Sequence, residues 1–170
     1  MKRRICVSLS TWVILAISTC AFAHIKQGEE EVLQGLEAVY VRVERLRAEV
    51  EQDGLFGSTL QSDAELKLRL AGIRVLSEEQ WTENPDVPYL YLFVDVFKHS
   101  EGYIYRIQVS LREPVMIVRK RTKTIATTLR IRDELGITEY LSEIREEAQD
   151  LVDEFIKAWQ NANRKKTEKR

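Results

Sequence analysis

Only two cysteines occur in the 170 residues, Cys6 and Cys20, and both fall within the first 23 positions. Beyond them there is no thiol for a disulfide, a zinc-thiolate site or a cysteine nucleophile, so stability has to come from a packed core. Histidine is as scarce, at His24 and His99. If a leader were cut after Ala23, His24 would head the chain and could chelate copper through its amine and ring, with His99 as partner. No further ligand set accompanies the pair, and no metal or cofactor is expected. A hydrolytic triad needs a positioned histidine, and no nucleophile-elbow serine motif or phosphate-cradling glycine loop is present. These gaps point away from an enzyme. No later segment reaches the run of about 18 apolar residues that a helical membrane span requires.

What the chain does have is an opening, "MKRRICVSLSTWVILAISTCAFA", with a basic start (Lys2, Arg3, Arg4), an apolar run through Ile17 and a small-x-small end at Ala21-Phe22-Ala23. This pattern predicts a cleaved signal peptide over 1–23, an exported chain and a periplasmic location. The alternative is an outer-membrane lipoprotein, because Ile17-Ser18-Thr19-Cys20 has the outline of a lipobox, although threonine before the cysteine fits poorly. Membrane attachment is expected only if Cys20 is acylated. Removing the leader takes three of the 26 basic residues and none of the 27 acidic ones, leaving 23 against 27 and a formal charge of −4. A nucleic-acid binder would need a strongly basic face, so nucleic acid is excluded as a partner.

The remaining roughly 147 residues suit a single domain. Residues 24–34, "HIKQGEEEVLQ", read as a flexible N-terminus, 35–163 as one α+β domain, and 164–170 as a basic disordered tail. In "GLEAVYVRVERL", Val39, Val41 and Val43 alternate with Tyr40, Arg42 and Glu44, which predicts a half-buried strand. "STLQSDAELKLRLAG" begins with Ser58 and Gln61 in capping-box spacing. It carries a stripe of Leu60, Ala64, Leu68 and Ala71, widened by Leu66 and Leu70, and ends at Gly72, as a helix should. Ile73 to Leu76 form a short strand, and "SEEQWTENPDVP" reads as a loop. Near the end, Leu141, Ile144, Ala148, Leu151, Val152, Phe155, Trp159 and Ala162 recur at three and four, predicting a long helix with Thr138 as its N-cap.

Between these lies a hairpin, "YLYLFVDVFKHSEGYIYRIQVSL", joined around His99-Ser100-Glu101-Gly102, with Gly102 free to take a positive φ. With Lys98 opposite Tyr103, paired residue numbers sum to 201. One face is then aliphatic (Leu90, Leu92, Val94, Val96 against Leu111, Val109, Ile107, Tyr105). The other sets Asp95 against Arg106, Phe97 against Ile104, Phe93 against Gln108 and Tyr91 against Ser110. A one-residue slip would mix the faces, and an Asp95–Arg106 pair worth ~0.2–1 kcal/mol favours this register. The ring-bearing face, with Tyr91, Phe93, Phe97, Ile104 and Arg106, is the candidate partner-binding surface, unless the segment bearing Trp81 folds over it. After Pro114 a further strand, "VMIVRKRTKTIATTL", would place Arg119, Arg121 and Lys123 on one side. That stripe could bind an anion or, more simply, protect a sheet edge.

The predicted fold is a two-layer α+β sandwich. It has a mixed, mostly antiparallel sheet of about five strands with two helices on one face, in the order β-α-β-β-β-β-α. This order resembles the outer-membrane assembly lipoproteins of the LptE type and the N-terminal domain of TolB. The segments "LKLRLAGIRVL", "VPYLYLFVDVF" and "DLVDEFIKAW" look like those of small exported bacterial proteins of unassigned function. The resemblance implies an envelope accessory role and transfers no functional residue. Two readings follow. The chain docks an envelope protein or a second copy of itself through the ring-bearing face, or it carries a small apolar or lipid-like ligand between sheet and helices.

Overall fold

The period-two segments pair into one five-stranded sheet: β1 (Ala38–Val43), β2 (Arg74–Leu76), β3 (Tyr89–His99), β4 (Gly102–Ile117) and β5 (Thr122–Thr138), in spatial order β2-β1-β3-β4-β5. The computed structural model describes residues 31–167, with side chains through Arg164. The leader expected over 1–23 and the first part of segment 24–34 lie outside these residues. Strand β1 runs parallel to both β2 and β3, and β3, β4 and β5 form an antiparallel meander. After a helical stretch at residues 31–33 come four helices: α1 (Ala48–Gln52), α2 (Gly57–Leu70), α3 (Glu78–Glu83) and α4 (Leu141–Thr167). The result is the mixed-sheet α+β sandwich the pattern predicts.

The aliphatic face of the sheet is the core face. Val39, Val41, Leu90, Leu92, Val94, Val96, Ile107, Val109 and Leu111 pack against Leu60, Ala64 and Leu68 of α2 and Ile144, Leu151, Val152 and Phe155 of α4. The β3–β4 register is the predicted one, from His99 opposite Gly102 to Tyr89 opposite Arg112, with every pair summing to 201. Gly102 has φ +137, and a Cβ there would lie 2.3 Å from the Thr138 carbonyl oxygen, so no other residue fits.

Several local expectations are corrected. Helix α2 starts one residue before Ser58, so Ser58 is inside the helix and Phe56 is the N-cap, without a side-chain cap. Gln61 instead donates to Glu65. Leu66 and Leu70 face solvent, because at 3.6 residues per turn they sit off the Leu60–Ala64–Leu68 stripe. At the other end the expectation holds: Gly72 (φ +89) donates to the Arg69 carbonyl and Ile73 to that of Leu68, the paired bonds of a Schellman end. Thr138 closes β5 rather than capping α4 directly; its hydroxyl oxygen accepts from the Tyr140 N–H at 3.1 Å and contacts the Glu143 carboxylate. Of segment 24–34, Leu33 and Val32 join the core while Glu31 and Gln34 stay exposed. Leu33 is fully buried, and the Asn163 side chain donates to the Leu33 carbonyl (3.0 Å) while accepting from the Gly35 N–H (2.9 Å). Helix α4 continues to Thr167, into the stretch expected to be a disordered tail.

The strand expected after Pro114 is two strands. β4 runs on to Ile117, the chain reverses at Val118–Arg121, and β5 returns from Thr122. Two one-residue register shifts against Val109–Arg112 place extra residues on β5, at Ile131 and Thr128.

Candidate functional site

The second face of the sheet is built by alternation: whatever β1, β3 and β4 do not send to the helices points here. It carries Tyr40, Tyr89, Tyr91, Phe93, Asp95 and Phe97, then Arg112, Ser110, Gln108, Arg106 and Ile104 opposite them, and Asp133, Leu135 and Ile137 on β5. The structure divides this face into a sealed end and an open end.

The sealed end is closed by α3, in the segment expected to be a loop. Ser77 caps it with a reciprocal box, its hydroxyl accepting from the Gln80 N–H while its own N–H donates to the Gln80 side chain. The spacing of Ser77 and Gln80 in "SEEQ" was the available signal for this helix. Its single large side chain, Trp81, stacks on Tyr40 (centroids 5.1 Å apart, planes at 19°), meets Tyr89 edge-on at 5.6 Å, and donates from Nε1 to the Val87 carbonyl at 2.9 Å. Tyr89 in turn meets Tyr91 edge-on at 6.4 Å. Tyr91 is consequently only 8 % exposed, with the Arg112 guanidinium 3.6 Å over its ring and its hydroxyl donating to Glu44. Desolvation, and then the nearby Glu78 carboxylate, push the Tyr40 phenol above its ordinary pKa. This end is a satellite core, and Tyr91, predicted to face a partner, is buried within it. Ser110 Oγ and Arg112 Nε are buried here without a hydrogen-bond partner among the described residues.

The open end keeps the other predicted residues. Phe97, Ile104 and Ile137 form one row across three strands, 47 %, 38 % and 79 % exposed, with Leu135 beside them at 73 %. Leu135 and Ile137 lie beyond Leu129, where the sequence pattern ends the strand, and β5 continues through both to Thr138. Arginines frame the rings: Arg47, from the connection after β1, lies 3.9 Å over Phe97, and Arg106 lies 5.9 Å from half-buried Phe93. The expected Asp95–Arg106 ion pair is replaced. Arg106 makes a two-pronged contact with Asp133 on β5 (Nε at 2.7 Å, Nη2 at 2.5 Å), and Asp95 takes Arg47 at 3.1 Å. β5 supplies a carboxylate on the far side of Arg106 whose geometry suits the guanidinium fork better than a directly opposite residue does. The hydrogen bond from Arg106 holds the Asp133 carboxyl below the ordinary carboxylate range. A shallow depression of about 500 Å³ adjoins the row, lined by His99, Glu101, Gly102, Ile104, Ile137, Thr138 and Glu139.

The three candidate anion-binding residues do not share a strand face. Arg119 and Arg121 lie in the β4–β5 turn, Arg121 with φ +52, while Lys123 sits in β5 and pairs with Asp86 at 3.1 Å. Among the described residues there is no group of three or more potential metal ligands, and no helix is long and apolar enough to cross a membrane.

No family model matches this chain, and no curated protein does. Among solved structures it is similar to the PelC dodecamer from Paraburkholderia phytofirmans in two crystal forms, each at 16 % identity. The first, a single-residue variant, superposes with a TM-score of 0.42 over 75 % of this chain and 90 % of that one. The second gives 0.41 over 74 % and 88 %. At that identity and score, nothing that PelC does carries over to this chain.

Proposed function

We propose that this chain is an exported, non-enzymatic accessory protein of a cell envelope that docks a protein partner through the open end of its outer sheet face. One observation carries the reading: Phe97, Ile104, Leu135 and Ile137 form a contiguous apolar row left uncovered, while the other end of the same face is sealed by Trp81. A chain that closes one end with a dedicated helix and leaves the other bare has a use for the bare end. Aromatic rings under arginines, with polar side chains around them, are the composition enriched at protein interfaces. Export rests on the leader pattern of residues 1–23.

The test is a photoreactive residue in place of Ile137, with one in place of Leu66, an exposed position on the helical layer, as control. Docking predicts a discrete adduct from position 137, none from position 66, and loss of the adduct in the Phe97→Ser variant. An adduct of twice the chain's mass would identify the partner as a second copy. Equal labelling from both positions would remove the proposal. The rival reading, an apolar ligand held between the layers, is disfavoured by the side chains that fill that space, with Phe155, Leu151, Leu90 and Ile107 all fully buried. Retention of a small apolar molecule in native mass spectrometry would revive it.

A further inference from the structure

We propose that the free end of the β4–β5 hairpin is an arm that inserts its tip into the headgroup layer of a bilayer carrying anionic lipids. Strand β3 begins at Tyr89, opposite Arg112, whereas β4 and β5 pair for five further positions, from Glu113–Ala126 to Ile117–Thr122. A two-stranded ribbon roughly 17 Å long, at about 3.4 Å per pair, therefore runs past the last pairing with β3. Its surface keeps apolar groups exposed among polar ones: Met116 and Ile125 stand beside exposed Thr122, Lys123 and Thr124, and Val118, in the turn, is 85 % exposed. Arg119, Lys120 and Arg121 complete that turn, and none of them has an ion-pair partner among the described residues. Among the described residues, the carboxylates beside the arm are Glu113 at its base and Asp86, which meets Lys123 one pair short of the turn; neither forms an ion pair with Arg119, Lys120 or Arg121.

Protection of a sheet edge accounts for a lysine within β5, but charges in a turn have no edge to protect. A protein partner would need on the order of 800 Å² on each side for a stable contact, more than a four-residue tip supplies. An exposed valine ringed by three cations suits a bilayer interface, with the apolar group at the acyl boundary and the cations among phosphates. The tip at Val118 lies roughly 48 Å along the strand from Ile104, so this inference stands or falls separately from docking at the open row.

Flotation of the full chain with phosphatidylglycerol–phosphatidylcholine vesicles tests it. Each basic residue near an anionic surface contributes about fivefold in partitioning. The triple variant Arg119→Ser, Lys120→Ser, Arg121→Gly should therefore bind about 100-fold more weakly, and glycine suits the positive φ at position 121, which keeps the turn. Val118→Ser with Met116→Ser should weaken binding several-fold, salt should release the wild-type chain, and the Phe97→Ser, Ile137→Ser variant should bind as wild type does. The N-terminal segment is common to all variants, so their comparison isolates the arm. Equal binding by wild type and the triple variant, equal binding to pure phosphatidylcholine, or no binding at all would overturn the proposal. Capture of soluble polyglutamate without vesicle binding would overturn it too, in favour of an acidic polypeptide.

Discussion

Trp81 is the one side chain that decides how much of the outer sheet face is available, and Trp81→Ala should open it. The substitution removes a stacked contact with Tyr40 and an edge contact with Tyr89, each worth about 0.5–1.5 kcal/mol beyond area burial, and the hydrogen bond to the Val87 carbonyl, worth about 0.5–1.5 kcal/mol. Full burial would add a cavity cost and bring the loss to the ~3–5 kcal/mol typical of core tryptophans. Trp81 is only half-buried, so a loss of about 2–3 kcal/mol is expected. Because α3 is a six-residue helix with no buried residue of its own, the loss should appear first as local opening of residues 77–87. Hydrogen exchange should show faster exchange at the Trp81, Asn84 and Val87 amides, which bond within this segment, while Leu92 and Ile107 in the core stay protected. Binding of an apolar dye should rise as Tyr40, Tyr89 and Tyr91 become accessible. A variant with wild-type exchange across 77–87, and stability within about 0.5 kcal/mol of wild type, would refute the account of the sealed end.

Two further outcomes follow from the geometry. Gly102→Ala should destabilise the protein by at least about 2 kcal/mol in urea melts, since φ +137 is closed to alanine and its Cβ would collide with the Thr138 backbone; Gly57→Ala, with open space around it and no positive φ, should change stability by under about 1 kcal/mol. Asp63 is held below its ordinary pKa of 3.8, chiefly by the hydrogen bond from Arg145 and also by that from Gln149. A depressed carboxyl stabilises the fold above its unfolded pKa, and the contribution is lost as pH falls through the folded value, so the wild-type advantage over Asp63→Asn should be full at pH 6 and shrink below about pH 4. An advantage that does not vary with pH would show that the contact works by packing rather than charge.

The parts of this fold legible in the sequence are those set by local periodicity. Alternation in "YLYLFVDVF" and "YIYRIQVSL", with Gly102 between them, admits one register that keeps an aliphatic face whole, and β3 and β4 adopt it residue for residue. The three-and-four spacing from Ile144 to Ala162 likewise names the buried stripe of α4 before any partner is known. Periodicity says which face a side chain takes and nothing about what then covers that face. The sealing of Tyr91 depends on Trp81 reaching Tyr40 across two strands, and the choice of Asp133 over Asp95 by Arg106 depends on where β5 lies after two bulges. Val118 stands clear of the body only because β3 starts at Tyr89 and leaves the end of β4 with a single neighbour. Interactions a few residues long set the two faces of the sheet and the stripes of the helices. The tertiary structure alone decided which part of the outer face stays open and that the basic turn becomes a tip, because both result from contacts between segments far apart in the chain.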